Sequence, residues 1–216
     1  MQSLGTSVKQ HALAAHLLAE QPNVMVITET WLKGTCPTLH QDYRQFQSPA
    51  GGSQGVLALI HKDLAATPYE PHRWSRQIIK LRIQLEPKSK PLLLIGVYIQ
   101  PLERVAILAQ LNSEVTRDLA SSKFSTIVIA GDFNSTQHSL NELLPAAAIF
   151  QFRTVSEGTR ISAQGKWSSL DYIASTAPIS VATRFGHLSK SDHFPIGVKI
   201  LAKIITKSED KVWRVD

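Results

Sequence analysis

"STIVIAGDFNS", Ser125 to Ser135, decides how this chain is read. Phe124 to Ala130 is a short, β-branched apolar run, the length and composition of a buried strand. It delivers Gly131, Asp132, Phe133 and Asn134 to its end. Asp132 and Asn134 stand two apart, so on an extended segment they project to the same side. Two readings stay open on these residues alone. They form an Asx turn that closes the strand, or they form half of a site for a phosphate and a metal ion.

Working outward, Val8 to Glu20 reads as a helix, capped by Thr6 or Ser7 and stopped by Pro22. "NVMVITET", Asn23 to Thr30, is a buried strand that runs into Glu29. Residues 33–54 read as irregular, closed by the flexible turn "AGGSQG", and Gly55 to His61 as a strand. "IIKLRIQL", Ile78 to Leu85, alternates: Ile79, Leu81, Ile83 and Leu85 face inward, while Lys80, Arg82 and Gln84 face solvent. "PLLLIGVYIQP" is apolar on both faces, as in a central strand. Glu103 to Ser121 is a helix with Val105, Leu108, Leu111, Val115 and Leu119 near helical spacing. Asn141 to Phe150 is a short helical piece interrupted by Pro145. Strands follow at Leu170–Ala174, Ile179–Phe185 and Phe194–Leu201. Strand follows strand too often for a βαβ repeat. The expectation is a mixed α/β protein with two sheets sharing one core and helices outside.

With 216 residues, 43% of them hydrophobic, the chain suits one domain with a sizeable core. Residues 1–202 are read as that domain and 203–216 as a loose charged tail. The formal net charge of +6 favours partners that carry phosphate, either nucleic acid or an anionic membrane surface. The single cysteine, Cys36, rules out an internal disulfide and suggests a reducing compartment. "MQSLGTSVKQ" lacks the apolar core of a signal peptide, and Pro91 to Ile99 is far short of a membrane span. The expectation is an intracellular chain without a membrane partner. Cys36 has no motif around it, "GGSQG" lacks the Gly-Lys-Ser/Thr of a phosphate loop, and His11 and His16 lack a metal-binding spacing.

Several apolar strands end in a narrow set of polar residues: Glu29, Tyr98, Asp132 with Asn134, and, before the last strand, Asp192 with His193. Asp171 sits inside another, "SSLDYIA". Taken singly, each has an ordinary structural explanation. Glu29 suits a cap or turn acid, Asp132 and Asn134 a turn, Ser191-Asp192-His193 a satisfied turn, and Tyr98 the core. Asp171 is more telling, because a carboxylate in an apolar run needs a partner. Together they suit metal-assisted phosphodiester hydrolysis. Carboxylates bind a hard cation, the cation polarises a phosphoryl oxygen, an Asp–His pair moves a proton, and Asn or Tyr donates to a developing oxyanion.

The pieces "VITETWL", "GVYIQP", "IAGDFNS", "SSLDYIAS" and "SKSDHFPI" span residues 23 to 197. In kind and order they resemble the exonuclease–endonuclease–phosphatase superfamily, which includes abasic-site endonucleases, pancreatic-type DNases and inositol 5-phosphatases. "TETWL", "GGSQGVLALI" and "LDYI" look most like the endonuclease domain of a non-LTR (LINE-type) retrotransposon. The resemblance implies a four-layer α/β sandwich, with two mixed sheets packed face to face and helices outside. It also implies that the family's first strand and its Asn are absent ahead of Met1. The inositol-phosphatase branch fits poorly, since "SSLDYI" replaces its tryptophan-containing Cys-Asp-Arg signature.

By that resemblance the chain is a hydrolase that nicks duplex DNA with Mg²⁺, or Mn²⁺ in its place. Glu29 would hold the metal and Asp192 would complete the acidic ring near it. Asp132 would position or activate the attacking water. Asn134 and Tyr98 would contact the scissile phosphate. His193 would stand opposite it, oriented by Asp171. The implied partners are double-stranded DNA and a reverse transcriptase domain in the same polyprotein, with a nuclear location. The alternatives are an abasic-site repair nuclease or phosphatase of the same superfamily, or a catalytically inactive DNA-binding remnant. The loop "TRISAQGKWSS" offers Arg160, Lys166 and Trp167 as DNA contacts. Residues 72–90 set Arg73, Arg76, Lys80, Arg82, Lys88 and Lys90 against Glu86, with Trp74 among them. That segment suits a DNA backbone or, equally, a solvated strand and loop.

Overall fold

The computed structural model describes residues 4, 6–32, 34–49, 55–143, 145–186, 188 and 191–201. The expected tail, residues 203–216, and the expected turn at 50–54 lie outside them. In chain order the elements are α1 (Ser7–Glu20), β1 (Val24–Thr28), β2 (Tyr43–Gln47), β3 (Val56–His61), β4 (Ala65–Pro68), β5 (Ile78–Gln84) and β6 (Leu92–Tyr98). Then come α2 (Arg104–Ala120), β7 (Thr126–Asp132), α3 (Gln137–Leu143), β8 (Gln151–Arg153), β9 (Arg160–Ile161), β10 (Trp167–Ser168), β11 (Asp171–Ser175), β12 (Thr183–Arg184) and β13 (Ile196–Gly197).

Two sheets pack face to face. The larger has the order β4-β5-β6-β7-β11-β8 and is mixed, with β6 and β7 parallel and the other pairs antiparallel. The smaller, β1-β3-β2, is antiparallel throughout. Val56, Ala58 and Ile60 of β3 meet Ile79, Leu81, Ile83, Leu92 and Leu94 between the sheets. Gly96 sits in this interface: a Cβ there would lie 2.9 Å from Val56 Cγ1 and 3.0 Å from Ile79 Cγ1. Its missing side chain lets the sheets approach at mid-strand. On the outer face of the larger sheet, Ile107, Leu108, Leu111 and Val115 of α2 cover Leu93, Ile95, Ile127 and Ile129. On the outer face of the smaller sheet, Leu13 and Leu17 of α1 cover Ile27, Leu57 and Leu59. The layers are therefore helix, sheet, sheet, helix, as the motifs imply.

Local chemistry explains the boundaries. α1 ends at Gln21, which takes a left-handed conformation (φ 45°) and donates its amide to Leu17 O, and Pro22 cannot continue the helix. Thr6 sits at its N-cap position, but its side chain makes no capping bond. The longest apolar run, β6, is buried at every position, as a central strand with packed layers on both sides must be.

Four expectations need correction. The stretch read as irregular contains β2, and β4 also went unread. Both are edge strands, and edge strands carry a weak hydrophobic signal. The two last predicted strands shrink to short pairings: β12 with β13, and a bridge between Ile179 and Ile200. Val105, counted in the apolar stripe of α2, is 68% exposed. Lys80, read as solvent-facing, is 0% exposed, because α2 covers that side of β5.

The burial of Lys80 is balanced by a network of six charges beneath α2. Its Nζ lies 2.6 Å from Asp118 Oδ2, 3.0 Å from Glu114 Oε2 and 3.4 Å from Glu70 Oε2. Arg73 and Arg117 reach Glu114 at 2.6 Å each, and Arg117 reaches Glu70 at 2.5 Å. Three cations face three carboxylates, so no buried charge is left uncompensated. Burial pushes the Glu114 carboxyl up, but bonds from Arg73, Lys80 and Arg117 outweigh it and hold the pKa at about 2, against an ordinary 4.5.

Glu114 is thus depressed in the folded state. Its contribution is present above pH 4.5 and is lost as pH falls toward 2. Glu114→Gln should destabilise the chain by about 3 kcal/mol at pH 7, where its loss leaves buried cations unpaired, and by less near pH 3. Denaturant titrations at the two pH values measure this, and an equal loss at both would show that the pairing is not the cause. A second test concerns Gly131, at φ 150°, where a Cβ would lie 1.8 Å from Val97 O. Gly131→Ala should cost more than about 1 kcal/mol, lowering the melting temperature by at least about 3 °C. An unchanged melt would refute the close approach of β6 and β7 at this point.

Candidate active site

Three adjacent strands of the larger sheet end in one row. In the parallel pairing of β6 with β7, Tyr98 stands opposite Asp132, and in the antiparallel pairing of β7 with β11, Asp132 stands opposite Asp171. Residues paired across a ladder project to the same face, so these three side chains share one edge of the sandwich. The turn after β7 is itself built from the site. Asp132 Oδ1 accepts the Asn134 amide at 2.8 Å, closing an Asx turn that holds Asn134 at φ 44°. The Asx-turn reading of "GDFNS" is therefore met. The Asn134 side-chain amide donates to Ile99 O at 3.1 Å and to Asp132 Oδ2 at 3.2 Å. Asn134 was expected to face a phosphate. Here both of those bonds are made within the protein, and they orient Asp132.

The smaller sheet contributes Glu29, one residue past β1, at φ 51°. A glutamate held there is strained, as residues at functional sites often are. Its Oε1 accepts the Tyr98 hydroxyl at 2.5 Å, a bond that joins the two sheets at their mouth. Burial, this bond and the nearby carboxylates push the Tyr98 phenol well up, so it stays a proton donor.

Asp192 and His193 arrive on the segment before β13. Ser191 Oγ accepts the His193 amide at 3.1 Å and shapes the turn. His193 Nδ1 lies 2.9 Å from Asp171 Oδ2, and Nε2 lies 3.9 Å from Asp132 Oδ2. Asp132, Asp171 and His193 each bring one ligand-type atom within 4.8 Å of the others. Asp132 is 2% exposed. Burial first, and then the charge of Asp171, push its carboxyl up to about 7, against the opposing pull of His193. Burial pushes His193 down, but its bond to Asp171 and the charges of Asp171 and Asp132 outweigh that and raise it.

Arg160 on β9 donates to Asp192 Oδ2 at 2.8 Å and so holds Asp192 below the usual carboxylate range, against its burial. The other oxygen, Asp192 Oδ1, is buried without a hydrogen-bond partner. Among the described residues, the ligand-type atoms that converge are those of Asp132, Asp171 and His193, a set that could hold a metal ion. Glu29 and Asp192, expected to hold the metal, are not part of that group.

The DNA-contact candidates divide. Arg160 lies at the site. Lys166 and Trp167 are exposed on the β9–β10 hairpin beside it. Trp167, 45% exposed, packs against Phe194 at 5.2 Å. Arg76 is exposed in the turn before β5, next to Gln77, whose carbonyl accepts the Tyr98 amide. Arg73 instead sits in the buried network on Glu114, and Trp74 packs on the inter-sheet core with its indole N–H on Tyr69 O.

Sequence reasoning missed two residues. Arg184 lies over the rings of Trp167 and Phe194, at 4.9 and 5.0 Å. Thr159, 0% exposed, accepts the amides of Leu170 and Asp171 on its hydroxyl, while its carbonyl accepts the Phe194 amide. It ties the hairpin to both ends of the Asp171–His193 pair. Neither sits in a motif, and only the "TR" of residues 159–160, next to the basic loop, hinted at Thr159.

No known family profile matches the chain. Solved structures do share its fold. The endonuclease domain of TRAS1, a telomere-specific non-LTR retrotransposon, superposes with a TM-score of 0.72 at 17% identity, over 93% of this chain and 95% of that one. The AP endonuclease LMAP from Leishmania major gives 0.68 at 17% identity, over 86% and 80%. A mannosyl-6-phosphatase from Bacteroides thetaiotaomicron gives 0.60 at 14% identity, over 89% and 90%. The chain has the fold of the exonuclease–endonuclease–phosphatase superfamily.

Proposed function

We propose that this chain is a divalent-metal-dependent endonuclease that nicks duplex DNA for a mobile element. One observation carries the reading: a buried Asp132 with the Asp171–His193 pair on one side and the Glu29–Tyr98 pair on the other, at a single mouth between two sheets. The likeness to a retrotransposon endonuclease domain over nearly the whole chain supports the mobile-element setting. In that setting the nick leaves a 3′-hydroxyl for a reverse transcriptase of the same polyprotein, acting on nuclear DNA.

In this reading Glu29 and Asp192 hold Mg²⁺, with Mn²⁺ able to replace it. When bound, the ion polarises a phosphoryl oxygen and offsets its charge. Asp132, whose carboxyl sits near neutrality, positions the attacking water and takes its proton. His193 presents Nε2 toward Asp132 and toward the scissile phosphate. Asp171 holds Nδ1, which fixes the tautomer and steadies the charged ring. Tyr98 orients Glu29 and Asn134 orients Asp132. Arg160, Lys166, Trp167 and Arg76 border this mouth and contact the DNA.

A plasmid-nicking assay with Mg²⁺ tests the assignment. Nicking should vanish in EDTA and return with Mg²⁺ or Mn²⁺. His193→Ala should lose about 10²–10⁴ in rate, and equal activity in that variant would remove its role. Asp171→Asn should lose at least about tenfold while binding DNA normally. Intact plasmid, abasic duplex and a sugar phosphate should be compared side by side. Cleavage of the abasic duplex alone would make the chain a repair-type nuclease, and turnover of the sugar phosphate alone a phosphatase. Salt-sensitive DNA binding without any nicking would mark an inactive remnant.

A further inference from the structure

The basic segment 72–90 is not one surface. Arg73 and Lys80 belong to the buried network. Arg82, Lys88 and Lys90 lie at the end of the larger sheet away from the candidate active site, where β5 ends and β6 begins. β7 starts at that end and finishes at Asp132, six residues later, so the two places are about 20 Å apart.

There the β5–β6 turn and the α2–β7 turn wall a groove of about 760 Å³. Arg82, Lys88 and Lys90 line it from one side and Lys123 from the other, and no carboxylate is among the lining residues. Tyr69 and Phe124, edge to face at 5.0 Å, give it an aromatic wall. The walls are set in advance. Gln84 Nε2 donates to Ser89 O at 2.7 Å, Ser89 Oγ donates to Glu86 O at 3.0 Å, and Lys90 Nζ donates to Ser122 O at 3.0 Å, joining the two turns. Pro87 and Pro91 frame the lysines and stiffen the turn. A preformed groove loses less on binding than a mobile one.

The chemistry favours phosphate. Three of the four cations are lysines, which bind phosphate as point charges, and Arg82 can add a bidentate fork. The cations line a recess, and among the described residues none of the large exposed apolar side chains, such as Leu102, Val105 or Val181, borders it, so the apolar surface that a membrane face needs is not seen beside it. The volume is that of a small-molecule pocket; it admits about two nucleotides of a single strand and not the width of a duplex. A basic channel with ring surfaces beside it is how single strands are held without sequence preference.

We propose that this groove binds single-stranded nucleic acid, at a site separate from the candidate active site, with Arg82, Lys88, Lys90 and Lys123 around the phosphates of about two nucleotides and Tyr69 and Phe124 against a base. The proposal does not depend on the nuclease reading. Fluorescence anisotropy with labelled dT₁₂ and rU₁₂, in low salt with EDTA, measures it. Lys88→Glu/Lys123→Glu should weaken binding at least tenfold and make the log–log salt dependence shallower by about 1.4. Arg44→Glu/Lys62→Glu, the same charge change on the smaller sheet, should weaken it less than threefold. Tighter rU₁₂ identifies RNA as the natural strand and tighter dT₁₂ identifies DNA; either supports the groove. Equal losses in the two variants, or none in the first, overturn it. So does a first variant that loses polyglutamate or phosphatidylserine vesicles but keeps both strands. Plasmid nicking should survive in Lys88→Glu/Lys123→Glu. If no form of the chain nicks, yet this variant still loses the strands, the groove stands and the nuclease reading falls.

Discussion

The register of three central strands is the constraint on which the rest depends. Tyr98, Asp132 and Asp171 form one row because β6 pairs with β7 in parallel and β7 with β11 in antiparallel. Side chains alternate along a strand, so a slip of one residue would turn Asp132 toward α2 and away from His193. Gly131 allows β7 to pass close to Val97 O immediately before that row. The apolar core therefore does more than stabilise the domain: it sets the angular position of each catalytic candidate.

The chain holds two clusters of charge, tuned in opposite directions. Beneath α2, Glu114 has three cationic partners and is held far down, at about 2. At the mouth of the sandwich, Asp132 faces a second carboxylate and one histidine and is pushed up to about 7. Burial pushes both carboxyls up. At Glu114 the bonds from three cations outweigh it, whereas at Asp132 burial is the largest cause and the charge of Asp171 adds to it. The first cluster is a completed structure. The second has an excess of negative charge and an orphaned oxygen on Asp192, the condition of a site that receives something positive.

The fold itself leaves chemistry open, since nucleases and a sugar phosphatase share it. What distinguishes members must lie around the mouth. Here the β9–β10 hairpin, braced by Thr159 and by Arg184 stacked on Trp167 and Phe194, stands next to the Asp171–His193 pair. The hairpin is tied to the Asp171–His193 pair at its base and exposed at its tip.

The sequence by itself determined the layers and the cast. Buried strands such as Leu92–Tyr98 are visible because burial on both faces demands an unbroken apolar run. Asp171 is visible because a carboxylate inside an apolar run needs a partner, while Glu29, Asp132, Asp192 and His193 stand out only together, through their shared place near strand ends and the order of the motifs. Edge strands β2 and β4 were not visible, since one-sided pairing leaves little hydrophobic pattern. Lys80 was misread for a related reason: alternation shows which residues share a face, but not whether a helix 34 residues later lays Glu114 over that face. Only the tertiary structure decided that the Tyr98 hydroxyl bonds Glu29 across the sheets, and that Lys123 joins Lys88 and Lys90 in one groove. Those contacts join residues far apart in sequence, and their partners follow from three-dimensional packing that local spacing does not encode.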